Sequence, residues 1–285
     1  MALGTTHTSS TTLDSLIPEI WGSKMNDFYR NALVAGAFFT DLSSELADGG
    51  DVVHVPSITE MSANTKGNGS QVTLNAPTET KVDLTVNTWS EVSFLIEDRE
   101  AQIVKHSYSI QEKYMTNAAY TNAAVLEDAI LDLFPSFSQV TGSSAAAVAD
   151  SNIRVAIQYL DAANAPQEDR AFFFTPKAIW TDLMALDRFT LVQNTAGADP
   201  VLKGHVGYLY GIPVIMSTRI GASAGGNGYG NFALAQKDAI IHAHTIMRTQ
   251  ANYIPEYLGT LVTADLLYGV AENRDTSGVW IATAS

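Results

Sequence analysis

The sequence predicts an α+β chain organised around one very long helix, and three observations carry that prediction. Residues 96–134, IEDREAQIVKHSYSIQEKYMTNAAYTNAAVLEDAILDLF, contain neither Pro nor Gly until Pro135. β-rich segments flank this stretch, at 49–97 before it and 252–285 at the end of the chain. Between them, from about 150 to 246, short helical and strand patterns alternate as in a compact mixed domain. Within 96–134 the apolar residues Ile96, Ala101, Val104, Tyr108, Met115, Ala119, Val125, Leu126, Ala129, Ile130 and Leu133 recur at gaps of three, four and seven, which is helical spacing. A helix of roughly 35–39 residues would extend on the order of 55 Å, about three times the usual length. Lys105, Ser109, Thr116 and Asn122 interrupt its stripe, which follows no strict heptad, so a coiled coil is disfavoured. A subunit spanning a thin slab gives such a helix a purpose.

Composition narrows the class. The chain has 285 residues, 46% of them hydrophobic, enough for a sizeable core in one large or two smaller domains. Only 16% are charged, against about 25% in ordinary soluble domains. A surface so short of charge fits one that is largely covered by other subunits. With 30 acidic residues against 16 basic ones, the net charge of -14 excludes a broad nucleic-acid-gripping face, though not the containment of nucleic acid. There is no Cys, hence no disulfide, Cys-ligated zinc or thiol nucleophile. The opening MALGTTHTSSTTLD lacks the plan of a signal peptide, and no run of about 18 apolar residues occurs.

Taken in order, residues 1–48 read as an arm. It begins with a Thr/Ser-rich stretch and continues with Leu16, Ile17, Ile20, Trp21, Met25, Phe28 and Tyr29, broken by Pro18 and Gly22 into short helical pieces. Residues 49–97 read as a long β-hairpin. DVVHVPSIT is its outgoing strand, MSANTKGNGSQ a polar tip, and the returning segment carries Val82, Leu84 and Val86 on one face with Trp89 beyond. Because an isolated hairpin is marginal in water, this one must lie on another surface.

After Pro135 a small-residue linker ends at a helix capped by Asp150 or Ser151 and carrying Ile153, Ile157 and Leu160. AFFFT, residues 171–175, is a buried strand, and Thr175-Pro176 opens a further helix through Ile179, Leu183 and Leu186. A polar loop follows, then a strand pair around Gly211 and Pro213, then the flexible loop GASAGGNGYGN. FALAQKDAIIHAH gives a strand followed by a short helix or second strand. The closing segment predicts a hairpin of strands 266–271 and 279–282 joined by ENRDTSG.

Motifs of chemistry are sparse. His242 and His244 share one strand face, and His54 or His205 could join them at a zinc ion. With no acidic ligand at a matching spacing, a structural role is favoured. Gly225-Gly226-Asn227-Gly228-Tyr229-Gly230 lacks the Gly-Lys-Ser/Thr ending of a phosphate loop and reads as a surface loop. No nucleophile elbow, His-Glu-x-x-His or calcium loop occurs. The acidic pair Glu127-Asp128 reads as part of the solvated helix face. No catalytic residue, cofactor or metal site is expected, and no enzyme activity.

The order of elements resembles the major capsid protein of tailed double-stranded-DNA bacteriophages, the Hong Kong 97-like fold. Local phrases are similar too: RAFFFTPKAIWTDLMAL, a strand and then a helix opened by residue-Pro; HVGYLYGIPVIMST, a Gly-x-Pro-Val strand; and FALAQKDAIIHAH, a strand and acidic turn. The resemblance spans about 16–282 and rests on element order rather than on one motif. It implies an N-terminal arm (1–48), an extended β-hairpin loop (49–97), a peripheral domain with the spine helix (98–145 and 243–285) and a compact axial domain (146–242).

The function it implies is a structural subunit that self-assembles, as pentamers and hexamers, into an icosahedral phage head enclosing weakly contacted double-stranded DNA. Its location would be the virion capsid, assembled in the bacterial host cytoplasm. Implied partners are a portal and a separate scaffolding protein, or none, rather than a fused one (no charged helical extension precedes the arm), with a decoration protein left open; no membrane is involved. Some members of that family join subunits by a Lys–Asn isopeptide bond, which would place Lys66 at the hairpin tip opposite Asn273. Packing of the spine would rest on Val104, Val125 and Ile130. An encapsulin-like nanocompartment holding a protein cargo is the alternative within the same fold. A hydrolase or binding domain without a recognised motif is the alternative outside it.

Overall fold

The computed structural model of the chain describes residues 33–46, 49–99, 110–144, 146–186, 207–220 and 232–283. The expectations for residues 1–32, the polar loop, the Gly-rich loop, Val104, Lys105, Ser109 and His205 lie outside these residues. Twelve described strands run in chain order: β1 (Thr40–Asp41), β2 (Val52–Ile58), β3 (Glu79–Thr85), β4 (Thr88–Glu97), β5 (Gln139–Gly142), β6 (Arg170–Phe174), β7 (Tyr208–Leu209), β8 (Ile212–Met216), β9 (Phe232–Gln236), β10 (Ile240–Ile254), β11 (Gly259–Glu272) and β12 (Gly278–Ala282). The described helices are α1 (Ala35–Phe38), α2 (Ile110–Leu131) and α3 (Asp150–Ala162), with a π turn at Ala178–Asp182 and several 3₁₀ turns.

Two sheets build the body. In the first, of order β1-β10-β11-β4, β10 and β11 form a long antiparallel hairpin from Ile240↔Glu272 to Ile254↔Gly259, with a register shift between Thr245 and Arg248. Fifteen residues of β10 reach about 50 Å at the usual rise. The second sheet has order β5-β12-β9-β6-β8-β7. All five residues of β6 are buried because both faces of this sheet are covered. Phe173 faces a cluster with Phe39, Ile130, Phe134, Phe137 and Trp280. Phe172 and Phe174 face Ile153, Ala156 and Leu160 of α3 together with Ile179 and Leu183. The rings interlock: Phe39 stacks on Phe173 at 5.5 Å, and Phe134 meets Phe173 at 5.3 Å.

The buried strand of AFFFT and the strand pair around Gly211 and Pro213 form as the sequence predicts, the latter as Tyr208↔Pro213 and Leu209↔Ile212. Thr175 also caps as expected, its Oγ1 accepting from the Ala178 N–H at 3.4 Å. Asp150 is instead the first residue of α3, after a flanking Ala149 that makes no side-chain cap. An acidic side chain there still favours the positive end of the helix dipole.

Three expectations about the β segments are corrected. Residues 96 and 97 belong to β4, not to the helix, because Leu95, Ile96 and Glu97 pair with Leu261, Thr260 and Gly259 of β11. The described part of α2 runs from Ile110 and ends at Leu131 before a 3₁₀ turn at Phe134–Ser136 that contains Pro135, and Asp98 and Arg99 are also helical. The returning limb of the predicted hairpin divides at residues 86–87: β3 pairs with β2, whereas β4 leaves to pair with β11. The closing strands do not pair with each other either. β11 runs between β10 and β4, while β12 inserts between β5 and β9 of the other sheet. Gly269 marks the crossing of the corner after β3 over β11, since a Cβ there would stand 2.2 Å from the Thr85 carbonyl oxygen. Among the described residues no helix is long and apolar enough to cross a membrane.

Candidate functional site

Two groups of residues stand out, a polar junction at the start of the described chain and a set of apolar side chains left exposed at its extremities. At the junction, α1 lies against the C-terminal end of the spine helix α2, beside Glu127 and Ile130. Glu127 of α2 is 2% exposed, and its carboxylate accepts from three consecutive backbone amides. Oε1 takes the N–H of Val34 at 2.8 Å and of Ala35 at 2.8 Å, and Oε2 takes that of Gly36 at 3.0 Å. Amides at the opening of a helix have no partner within it, and this carboxylate supplies one from 92 residues away. Asp128 beside it is half-buried and holds Arg219 through two bonds, 2.6 Å from Nε and 2.5 Å from Nη2. That bidentate carboxylate raises the Arg219 pKa further. The reading of Glu127-Asp128 as a solvated face is thus overturned, as both side chains bind other elements. Asn122, an apparent interruption of the stripe, is also buried; its Nδ2 donates to the Ala264 carbonyl of β11 at 3.0 Å, and its Oδ1 accepts from Ser90 Oγ of β4 at 3.1 Å.

The same junction contains the His pair. Residues two apart in β10 share a face, and the rings of His242 and His244 lie nearly parallel with centroids 6.3 Å apart. The sequence offers no acidic ligand at a matching spacing, but the fold does. β1 pairs parallel with β10 and puts Asp41 beside His242, with Asp41 Oδ1 3.8 Å from His242 Nδ1. One ligand atom from each of Asp41, His242 and His244 lies within 4.8 Å of the others. Ser43 Oγ donates to Asp41 and lies 2.9 Å from His244 Nδ1. Burial raises the Asp41 pKa, but the Ser43 hydrogen bonds and the two imidazoles outweigh it and leave the carboxyl below its ordinary range. Burial lowers the His242 pKa, and Asp41 with the Gly36 carbonyl offsets this only in part. His54, on the exposed β2, bonds Asp83 at 2.6 Å instead.

Most of the exposed apolar side chains fall in three places, with Trp89 on β4 and Tyr114 on α2 apart from them. Beyond the paired part of β2–β3, residues 59–78 project without strand pairing; here Met61, Val72 and Leu74 lie in solvent, Leu74 at 88%, as does Ile58 at the end of β2. Tyr253 near the end of β10 and Tyr257 and Leu258 in the β10–β11 turn are exposed, as are Trp180, Tyr208 and Met216 around the six-stranded sheet. Scattered apolar groups are ordinary, but such groups gathered at the tips of extended elements mark contacts with other molecules. Of the residues singled out from the sequence, Lys66 is exposed at the projecting tip. Asn273 follows β11 and donates through Nδ2 to the Asp238 carbonyl at 3.0 Å. Ile130 is fully buried in the aromatic cluster, and Val125 is half-buried.

No protein-family model matches the chain, and no curated protein does. Solved structures do. One from Mycobacterium phage Che8 is similar at a TM-score of 0.81 and 21% identity, over 93% of this chain and 96% of its own. The capsid structure of Cyanophage P-SCSP1u is similar at 0.78 and 16%, over 100% and 97%. The mature capsid of bacteriophage PhiM1 is similar at 0.76 and 13%, over 94% and 92%. The chain therefore has the α+β Hong Kong 97-like capsid fold, with a spine helix, over nearly its whole length.

Proposed function

We propose that the chain is the major structural subunit of an icosahedral phage head, a self-assembling shell protein rather than an enzyme. The observation that carries this reading is end-to-end similarity to phage capsid structures, over 100% of this chain and 97% of one, and over 94% of this chain and 92% of another. The apolar tips support it, because they protrude from elements that do not complete a core within one subunit. The net charge of -14 supports a shell that encloses double-stranded DNA and touches it weakly. Pentamers and hexamers would form through the axial part, 146–242, and the arm, hairpin loop and peripheral part, 98–145 and 243–285, would link neighbours. The six-stranded sheet takes β5 and β12 from the latter segments, so the seam between the two parts runs through that sheet. A scaffolding protein, a portal and a decoration protein belong to the same proposal.

Electron microscopy of the purified protein tests it. Closed shells of uniform diameter support the reading, and monodisperse monomers by sedimentation at micromolar concentration refute it. Shells that hold a protein cargo and no nucleic acid would assign the nanocompartment role. The Lys66–Asn273 cross-link is part of the proposal, favoured by the free reach of Lys66 at the projecting tip; mature particles giving only a monomer band on a denaturing gel would remove it.

A further inference from the structure

We propose that Asp41, His242 and His244 bind a divalent transition-metal ion of the Zn²⁺ type, which pins the strand after α1 to the long β10–β11 hairpin. Three independent features converge. The first is placement: β1 pairs with β10 in register Asp41↔His242, and His244 lies one alternation further along the same face. Ligand atoms within 4.8 Å of one another need to close to about 3.3 Å, the spacing set by metal–ligand bonds of about 2.0–2.1 Å. Closing that gap requires the Asp41 carboxylate and the His244 ring to turn inward.

The second feature is an unsatisfied atom. His242 is 2% exposed, and its Nδ1 is buried without a hydrogen-bond partner. Its other nitrogen is committed: Nε2–H donates to the Gly36 carbonyl at 3.1 Å. A neutral imidazole carries one proton, so this bond fixes the tautomer and leaves a lone pair on Nδ1. A backbone carbonyl on the remote nitrogen is the usual device for orienting a metal-binding histidine. Buried polar atoms nearly always have partners. Here the nearest complementary group is the Asp41 carboxylate at 3.8 Å, which is acceptor-only when ionised and cannot supply a proton. A cation between the two satisfies both.

The third feature is the donor set. Two imidazoles and one carboxylate suit Zn²⁺, Co²⁺ or Ni²⁺, whereas Mg²⁺ and Ca²⁺ require mostly oxygen ligands. Asp41 is exposed, so the fourth position opens to water. Ser43, bonded to Asp41 and 2.9 Å from His244 Nδ1, holds the carboxylate at the rim. The tie joins residues 201 apart in sequence, so a single ion replaces a long-range contact that this two-residue strand makes weakly.

The inference is independent of shell assembly and is tested on the full-length protein, stripped with EDTA. Titration with Co²⁺ should give one equivalent with the visible d–d bands of a His/carboxylate site, displaced by Zn²⁺, and Zn²⁺ should raise the melting temperature. Asp41→Asn and His244→Ala should keep the metal-free melting temperature close to that of the parent. Each should weaken Co²⁺ binding by more than the roughly 10–100-fold typical of outer-shell changes. His54→Ala should bind as the parent does. Absence of stoichiometric binding to the parent, or undiminished binding in both Asp41→Asn and His244→Ala, overturns the proposal.

Discussion

Glu127→Gln tests how the start of the described chain is held to the spine helix. The substitution keeps the shape of the side chain but replaces one acceptor oxygen with an NH₂ donor. In the parent, Oε1 and Oε2 both accept from the Ala35 N–H, at 2.8 and 2.9 Å, and each takes one more amide, from Val34 and Gly36. Whichever way the new amide turns, its NH₂ faces at least one backbone N–H, so a bond is lost and two donors are opposed. Hydrogen bonds to a charged group contribute about 1.5–3 kcal/mol each, and a buried donor without a partner costs about 1–3 kcal/mol. One lost bond and one orphaned amide, partly relieved as residues 34–36 shift toward water, come to about 2–4 kcal/mol. Urea unfolding should show this as a lower midpoint with an unchanged slope. Hydrogen exchange at the amides of Val34, Ala35 and Gly36 should accelerate by a larger factor than exchange in β6. An unfolding free energy within about 0.5 kcal/mol of the parent's, the scale of a neutral surface change, would refute the clasp.

Three further outcomes follow from the packing. Gly269→Ala places a Cβ about where the Thr85 carbonyl sits, 2.2 Å away; both neighbours are backbone, so thermal melting should register a loss at or above the roughly 1–3 kcal/mol typical of overpacking. Ile130→Ala empties part of the aromatic cluster around Phe39, Phe134 and Phe173, and denaturant unfolding should show a loss of about 2–5 kcal/mol; a change below 1 kcal/mol would mean the spine does not pack there. Leu74→Ser alters a side chain 88% exposed in the subunit, so the melting temperature should not move while the yield of closed shells falls; unchanged shell yield would show that the hairpin tip makes no apolar contact in assembly.

What the sequence revealed of the fold depended on whether local pattern or distant pairing decides an element. The run of β6, the Thr175-Pro176 helix start and the turn at Gly211 carry their conformations locally, and they appear as read. The boundary between β4 and the helix is different. Residues 96–97 fit a helical stripe as well as a strand, and only their pairing with Gly259 and Thr260 on β11, more than 160 positions away, selects the strand. β-propensity is a weak guide where cross-strand neighbours set the energy. The same applies to β11 and β12. Both are apolar enough to pair with each other, yet β12 finds β5 and β9, where Val279 and Ile281 meet the face lined by α3. Pro255 lies in the turn of the β10–β11 hairpin, between Ile254 and Gly259.

The polar junction was less legible still, for a related reason. Glu127 and Asp128 are ordinary helix-surface residues by pattern, and the partner of Glu127 is backbone, which leaves no complementary residue type in the sequence to search for. Asp41 reaches the histidines through a strand of two residues, too short to register as a β pattern. Yet these illegible contacts converge on one short segment. Gly36 donates its N–H to Glu127 and accepts from His242 through its carbonyl, while Phe39 stacks on Phe173 of the six-stranded sheet. One turn of chain is thereby tied to the spine helix, the long hairpin and the second sheet at once. The hydrogen-exchange factor predicted for Glu127→Gln and the metal shift expected at Asp41, His242 and His244 measure two sides of the same attachment. If both ties hold, Zn²⁺ should slow exchange at Gly36 in the parent, and Glu127→Gln should retain that effect, because the ion acts through β1 and β10 rather than through α2.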